Sequence, residues 1–268
     1  MSPRTLELIA GPLRALRRAA FWWSVGVAGL VAATVAFWPA FKGSSGISQA
    51  IDQLPKGVVQ AFGLENFGTP AGYLRGNLYE LFVPLLLAGA AVALANGQTA
   101  SEEASGRLEL YLAQPVDRRA VFLGRAGAVL VALIAIAIVL AVVQVGVDAA
   151  VDLHIDPGHL LSTITLCTLL GILHGSVAIA IAGVRARPSL VMGIGIGVAL
   201  VGYVVAALFP LSSALSEWRH LSPWDWAFGG DPLETVTELW RYAALAIPSI
   251  ILTAIGVEAV ARRDVAAG

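Results

Sequence analysis

His174 and Ser176 stand two residues apart in an otherwise apolar stretch, and a histidine beside a serine is the starting material of nucleophilic catalysis. In a helix that spacing sets the pair on different faces, so neither activates the other. The remaining histidines, His154, His159 and His220, form no His-Glu-x-x-His pattern that would hold zinc. Gly193, Gly195 and Gly197 have the look of a phosphate-binding glycine loop, but they lie inside an apolar run with no strand before it. A Gly-x-x-x-x-Gly-Lys-Ser/Thr phosphate loop is missing as well. Cys167 is the only cysteine, which excludes an intrachain disulfide or a cysteine metal cluster. An enzyme is therefore not expected, and no metal or cofactor is called for.

What remains is the chemistry of contact. Gln144 and Asp148 lie four residues apart, on one helical face. An amide, an imidazole or a hydroxyl in hydrocarbon needs a partner. Gln144, His174 and Ser176 either line a route for a polar or amphiphilic compound or hydrogen-bond between helices and fix their packing. Both readings are open from the residues alone.

The elements that would carry these groups follow from composition. Of the 268 residues, 57% are hydrophobic and 13% charged, about half the roughly 25% charge of soluble domains. The apolar content runs along the whole chain, as in a single membrane domain. Crossing a hydrocarbon core of about 30 Å takes about 20 mostly apolar residues at 1.5 Å each. Uncharged windows of that size lie between Arg18 and Lys42, Glu80 and Glu102, Arg125 and Asp148, Asp156 and Arg185, and Arg187 and Glu217. A sixth, from Arg241 to Glu258, reaches Arg262 if Glu258 snorkels. The expected fold is all-α, with spans at 19–41, 78–98, 126–148, 160–184, 189–210 and 241–261. The first is too long for a cleavable signal core.

Cytoplasmic loops collect Lys and Arg. Placing the N-terminus inside leaves only Lys42, Lys56, Arg75, Arg219 and Arg241 of the 17 basic residues outside. Both termini are thus expected in the cytoplasm. Trp22, Trp23, Trp38 and Trp240 fall at span ends, the headgroup level that tryptophan favours. Outer segments cover 42–77, with an amphipathic stretch at 47–64 suited to the membrane surface, and 211–240, a Trp-, Pro- and Gly-rich stretch able to dip into the bilayer. The alanine-, valine- and glycine-rich composition, with Lys42 and Lys56 as the only lysines, is associated with GC-rich bacterial genomes, and the expected location is a bacterial plasma membrane.

The cytoplasmic stretch 99–125 is the most informative. Thr99 and Glu102 fit a capping box, Ser105-Gly106 breaks the helix that follows, and Leu108, Leu110, Tyr111 and Leu112 form a short apolar face beside Arg107 and Glu109. Pro115 closes the segment and Asp117 is placed to cap the third span. A short charged amphipathic element at the membrane surface either docks on a soluble partner or merely covers helix ends.

This loop resembles that of permease subunits of ABC exporters of the second type, the group of drug, antibiotic and polysaccharide exporters. The resemblance rests on Glu102-Glu103, Gly106, Leu108-Glu109-Leu110-Tyr111-Leu112, Gln114-Pro115 and Arg118-Arg119, and on the six-span frame. His220-Leu221-Ser222-Pro223-Trp224 is similar to the outer hairpin after the fifth span of that family. Arg107 departs from the usual threonine, and Tyr111 from the commoner leucine. The resemblance implies a coupling helix seated on a separate ABC ATPase, with Glu102, Glu103, Gly106, Leu108, Glu109, Leu112, Pro115 and Arg118 as its residues. It also implies a second permease chain completing the pathway and a bracing surface helix in 1–18. Lipid is an expected partner and nucleic acid is not. The function so implied is ATP-driven export of a hydrophobic or amphiphilic compound. A non-transporting anchor subunit and an ion-driven carrier are the alternatives, the latter disfavoured by the scarcity of intramembrane acids.

Overall fold

The computed structural model describes residues 3–42, 45–61, 66–107 and 117–263. Six helices are long and apolar enough to cross a membrane, and among the described residues there is no strand. We label their main segments α1 (Pro3–Ala36), α2 (Phe82–Gln98), α3 (Arg118–Val151), α4 (Pro157–Val184), α5 (Pro188–Leu208) and α6 (Leu239–Arg262).

Local sequence starts most of these helices. Asp117 accepts from the Arg119 amide at 3.1 Å and opens α3, as its placement foretold. Asp156 accepts from the Gly158 and His159 amides at 2.8 and 3.0 Å, with Pro157 next in line. Pro188 likewise opens α5. Such caps satisfy backbone donors that a helix start leaves free. The second spanning helix begins well before α2, at Pro70, where Thr69 caps the Gly72 amide. It runs through a π-helical turn, Arg75–Tyr79, before α2 proper. The 1–18 segment shares one continuous helix with the first span from Pro3 onward.

α4 is the hub. It packs against α2, α3, α5 and α6, and 72% of its most apolar stretch is buried, against 22% for those of α1 and α5. Close approach explains how. A Cβ on Gly183 would sit 2.2 Å from the Gly256 carbonyl oxygen, so α4 and α6 cross backbone against backbone. Gly171 and Gly175 face Leu87 and Ala91 of α2 at 3.2 and 3.1 Å in the same sense. Small residues at crossings are how helices associate in lipid. Along the other side of the bundle, α3 packs lengthwise on α1.

Two ends can be told apart. The loop end gathers the close of α2, the start of α3 and the close of α4 and α6. The hairpin end gathers the π-turn, the close of α5, and the short helices Ser216–Leu221 and Pro223–Phe228. At the hairpin end Trp224 is inserted between helices, in edge contact with His174 of α4 at 5.4 Å and against Gly202 of α5. Ser222 locks that insertion: its hydroxyl donates to the Gly202 carbonyl at 2.6 Å and accepts from the Trp224 amide at 3.1 Å. Trp38, at the close of the first span, is 2% exposed and packs at a tilt against Tyr73 at 5.3 Å. Its large apolar ring is better used here inside a cluster with Phe41, Phe67 and Tyr73.

Candidate functional site

The loop end holds the residues that the sequence singled out. A short helix, Ala100–Ala104, continues from α2 almost without a break and carries Glu102 and Glu103. Glu102 turns toward α3, where its carboxylate lies 2.5 Å from Arg125 Nη2. Arg125 is only 3% exposed, and its Nη1 also donates to the Gln98 carbonyl at 2.7 Å. Glu103 turns the other way, to Arg263 just past α6, at 2.6 Å. Arg118 donates to the Arg263 carbonyl at 2.8 Å, closing a ring between α3 and the end of α6. A buried charge is tolerated when it is paired and hydrogen-bonded, and these pairs fasten the loop to two spans at once.

The capping box at Thr99 is not formed. The Thr99 hydroxyl donates back to the Ala95 carbonyl at 2.6 Å, and the Glu102 carboxylate is engaged by Arg125. The helix hardly breaks at Thr99, so the hydroxyl finds the nearer carbonyl, and a buried guanidinium outcompetes a backbone amide for the acid. Three residues after Glu102, Ser105 ends the short helix with its hydroxyl on the Glu102 carbonyl, 3.0 Å. Gly106 takes φ +71°, a left-handed conformation that favours glycine. Leu108, Glu109, Leu112 and Pro115 lie outside the described residues.

The polar residues of the spans do not meet. Gln144 is fully buried: it accepts from the Tyr79 hydroxyl at 3.2 Å and donates to Asp148 at 2.7 Å. His174 donates from Nδ1 to the Leu170 carbonyl at 2.7 Å and faces Trp224. Ser176, on another face, accepts from Thr253 of α6 at 3.1 Å and donates to the Ile172 carbonyl. Each of the three thus bonds its own neighbour among the described residues. Among the described residues no group of acids, histidines and cysteines is placed to hold a metal ion.

Sequence reasoning treated Arg125 only as a charge that bounds a span, and Arg263 only as one of the basic residues on the inner side. Their partners are 23 and 160 positions away, and the one available signal was that opposite charges cluster at one membrane end. A second ion-paired cluster at the hairpin end was not foreseen. There Arg75 of the π-turn meets Asp231 at 2.6 Å, and Arg241 donates to the carbonyls of Asp225 and Trp226.

The family described as ABC-2 family transporter protein matches the chain over residues 12–256. The chain belongs to the ABC-2 transporter family. An ABC-2 permease is the membrane component of an ABC transporter, and membership implies an ABC ATPase partner. The match takes in all six spanning helices and the loop between α2 and α3. No curated protein matches the chain in sequence.

Proposed function

We propose that this ABC-2 permease exports a hydrophobic or amphiphilic compound across a bacterial plasma membrane, driven by ATP hydrolysis in a separate ATPase chain. In this reading both termini and the 99–125 loop face the cytoplasm, the loop sits on the ATPase, and a second permease chain completes the pathway. The apolar face built from Leu108 and Leu112 enters the ATPase, Glu109 orients it, and Pro115 ends it. Glu102 and Glu103 pull on α3 and α6.

The observation that carries the coupling role is the double anchoring of the acidic pair, Glu102 to Arg125 and Glu103 to Arg263. A segment fastened to two spans by charge pairs moves those spans when it is pushed. A loop that merely covered helix ends would need no such anchors.

The test is ATP-dependent export in inverted vesicles that contain the permease and its co-purified ATPase. Glu103→Lys sets an ammonium against Arg263, and Gly106→Pro imposes a φ near −65° where +71° is required. Both variants are expected to reach the membrane, retain the ATPase and lose export. Normal vanadate-sensitive export by both would refute the coupling role. A preparation of the active permease with no ATPase would refute the whole reading, and cysteine labelling of 102–114 from the cell exterior would refute the orientation.

A further inference from the structure

Away from the anchored loop, α3, α4 and α6 enclose an open groove of about 390 Å³. Its walls are almost wholly apolar, from Leu123 to Leu133 on α3 and at Ile179 and Ile250 on the other two helices. The hydroxyls in it are already engaged: Ser176 with the Ile172 carbonyl, Ser249 with the Leu245 carbonyl, and Thr253 with Ser176. Only an apolar occupant suits such walls.

Length and charge narrow the choice. Leu123 to Leu133 covers about 15 Å of helix, half of a hydrocarbon core of about 30 Å, so the groove has the depth of one leaflet. Its mouth is charged. One helical turn before Leu123 stands Arg119, and one turn after Ala254 stands Glu258, the two joined across the mouth at 3.0 Å. Arg262 shares the same carboxylate at 2.9 Å. Two guanidiniums with five N–H donors each thus face a single carboxylate, and their side chains remain 52% and 77% exposed. Of the neighbouring acids, Glu102 and Glu103 are held by Arg125 and Arg263, and Asp117 turns its carboxylate to the Arg119 backbone amide as the cap of α3.

We propose that the groove is a binding site for an anionic phospholipid of the leaflet at the loop end, with one acyl chain between α3, α4 and α6 and its phosphate on Arg119 and Arg262. A second copy of the chain fits the charge less well. In a membrane it lies in the same orientation, and it would bring its own arginine-rich end against this one. The proposal rests on the membrane-spanning fold and not on the coupling reading.

The experiment is native mass spectrometry of the permease extracted from nanodiscs of mixed phosphatidylglycerol and phosphatidylcholine. The wild type is expected to retain one phosphatidylglycerol per chain, enriched at least about tenfold over its share of the bilayer. Arg119→Gln with Arg262→Gln abolishes the preference while a lipid stays bound, and Ala254→Phe, at an exposed position in the groove, expels the lipid without loss of helix content. Equal retention of the two lipids, or no retained lipid, overturns the proposal. So does undiminished phosphatidylglycerol in Ala254→Phe. In membranes, Leu130→Cys forms no disulfide-linked dimer on oxidation because lipid fills the groove, and the buried Cys167 adds no background; a dimer through Cys at position 130 would put a second copy in the groove and overturn it as well.

Discussion

The two ends of the bundle use charge differently. At the loop end the central pair, Glu102 with Arg125, is 15% and 3% exposed and joins the helix after α2 to α3. At the hairpin end the main pair, Arg75 with Asp231, is 14% and 39% exposed and supports an insertion already held by packing. Trp224 sits between α4 and α5, Ser222 ties it to Gly202, and a cluster of Trp38, Phe41, Phe67 and Tyr73 closes the same side. The loop end has no comparable aromatic cluster among the described residues. Around Glu102 and Glu103 it relies on ion pairs, which can exchange partners, beside the tight Gly183–Gly256 crossing of α4 and α6, whereas interlocked rings must unpack to move. The contrast is between an end where a buried ion pair ties the loop to the spans and an end where inserted rings do the joining.

The largest effect is expected from Glu102→Ala. The substitution removes a carboxylate 2.5 Å from a guanidinium that is 3% exposed, and breaking one side of a buried pair costs about 3–5 kcal/mol. In detergent this appears as a marked fall in the melting temperature of the permease. The double variant Glu102→Gln with Arg125→Met, which removes both charges, is expected to recover most of the loss. If Glu102→Ala melts with the wild type, the loop end is not held by this pair and the contrast between the ends fails.

Why these pairs escaped sequence reasoning is plain from the residues. Spans were sought as uncharged windows, and that criterion found all six, because length and apolarity are local properties. Two of the helices run on before those windows. Arg75 and Glu80 lie in a helix that begins at Pro70, and Arg118, Arg119 and Arg125 lie in the first turns of α3, whose start Asp117 marks. A charge inside a helix end is admissible only when a partner waits for it, and the partner of Arg75 is 156 residues away. Asp117 was legible as a cap since its target is two residues on. The glycines of α4 and α5 divide in the same way. Gly171, Gly175 and Gly195 do meet neighbours, whereas Gly193 and Gly197 face open space, because a spacing of two turns successive glycines to different sides of a helix. The tightest crossing, Gly183 on Gly256, carried no local signal at all.

A smaller effect belongs to the hairpin end. Asp231→Asn weakens the pair with Arg75 but leaves Trp224, Ser222 and the Arg241 bonds in place. The expected cost is about 1–2 kcal/mol, because one partner is more than a third exposed and the amide still accepts a hydrogen bond. A loss as large as that of Glu102→Ala would mean that charge, not packing, holds this end. Charge exchange, Arg75→Asp with Asp231→Arg, sharpens the point: a rescue relative to either single reversal would isolate the pair from its surroundings.

The smallest effect is expected where a charge pair is most conspicuous. Glu258 bridges Arg119 of α3 and Arg262 of α6, yet all three side chains are more than a third exposed. Water and salt screen such pairs, and holding long side chains in one geometry offsets what attraction remains. Glu258→Gln is therefore expected to melt with the wild type at low and at high salt. A clear fall at low salt that disappears at high salt would show the bridge itself clamping α3 to α6. The loop end would then be held from the exposed rim as firmly as from its buried pair, and burial would be the wrong measure for ranking the two ends.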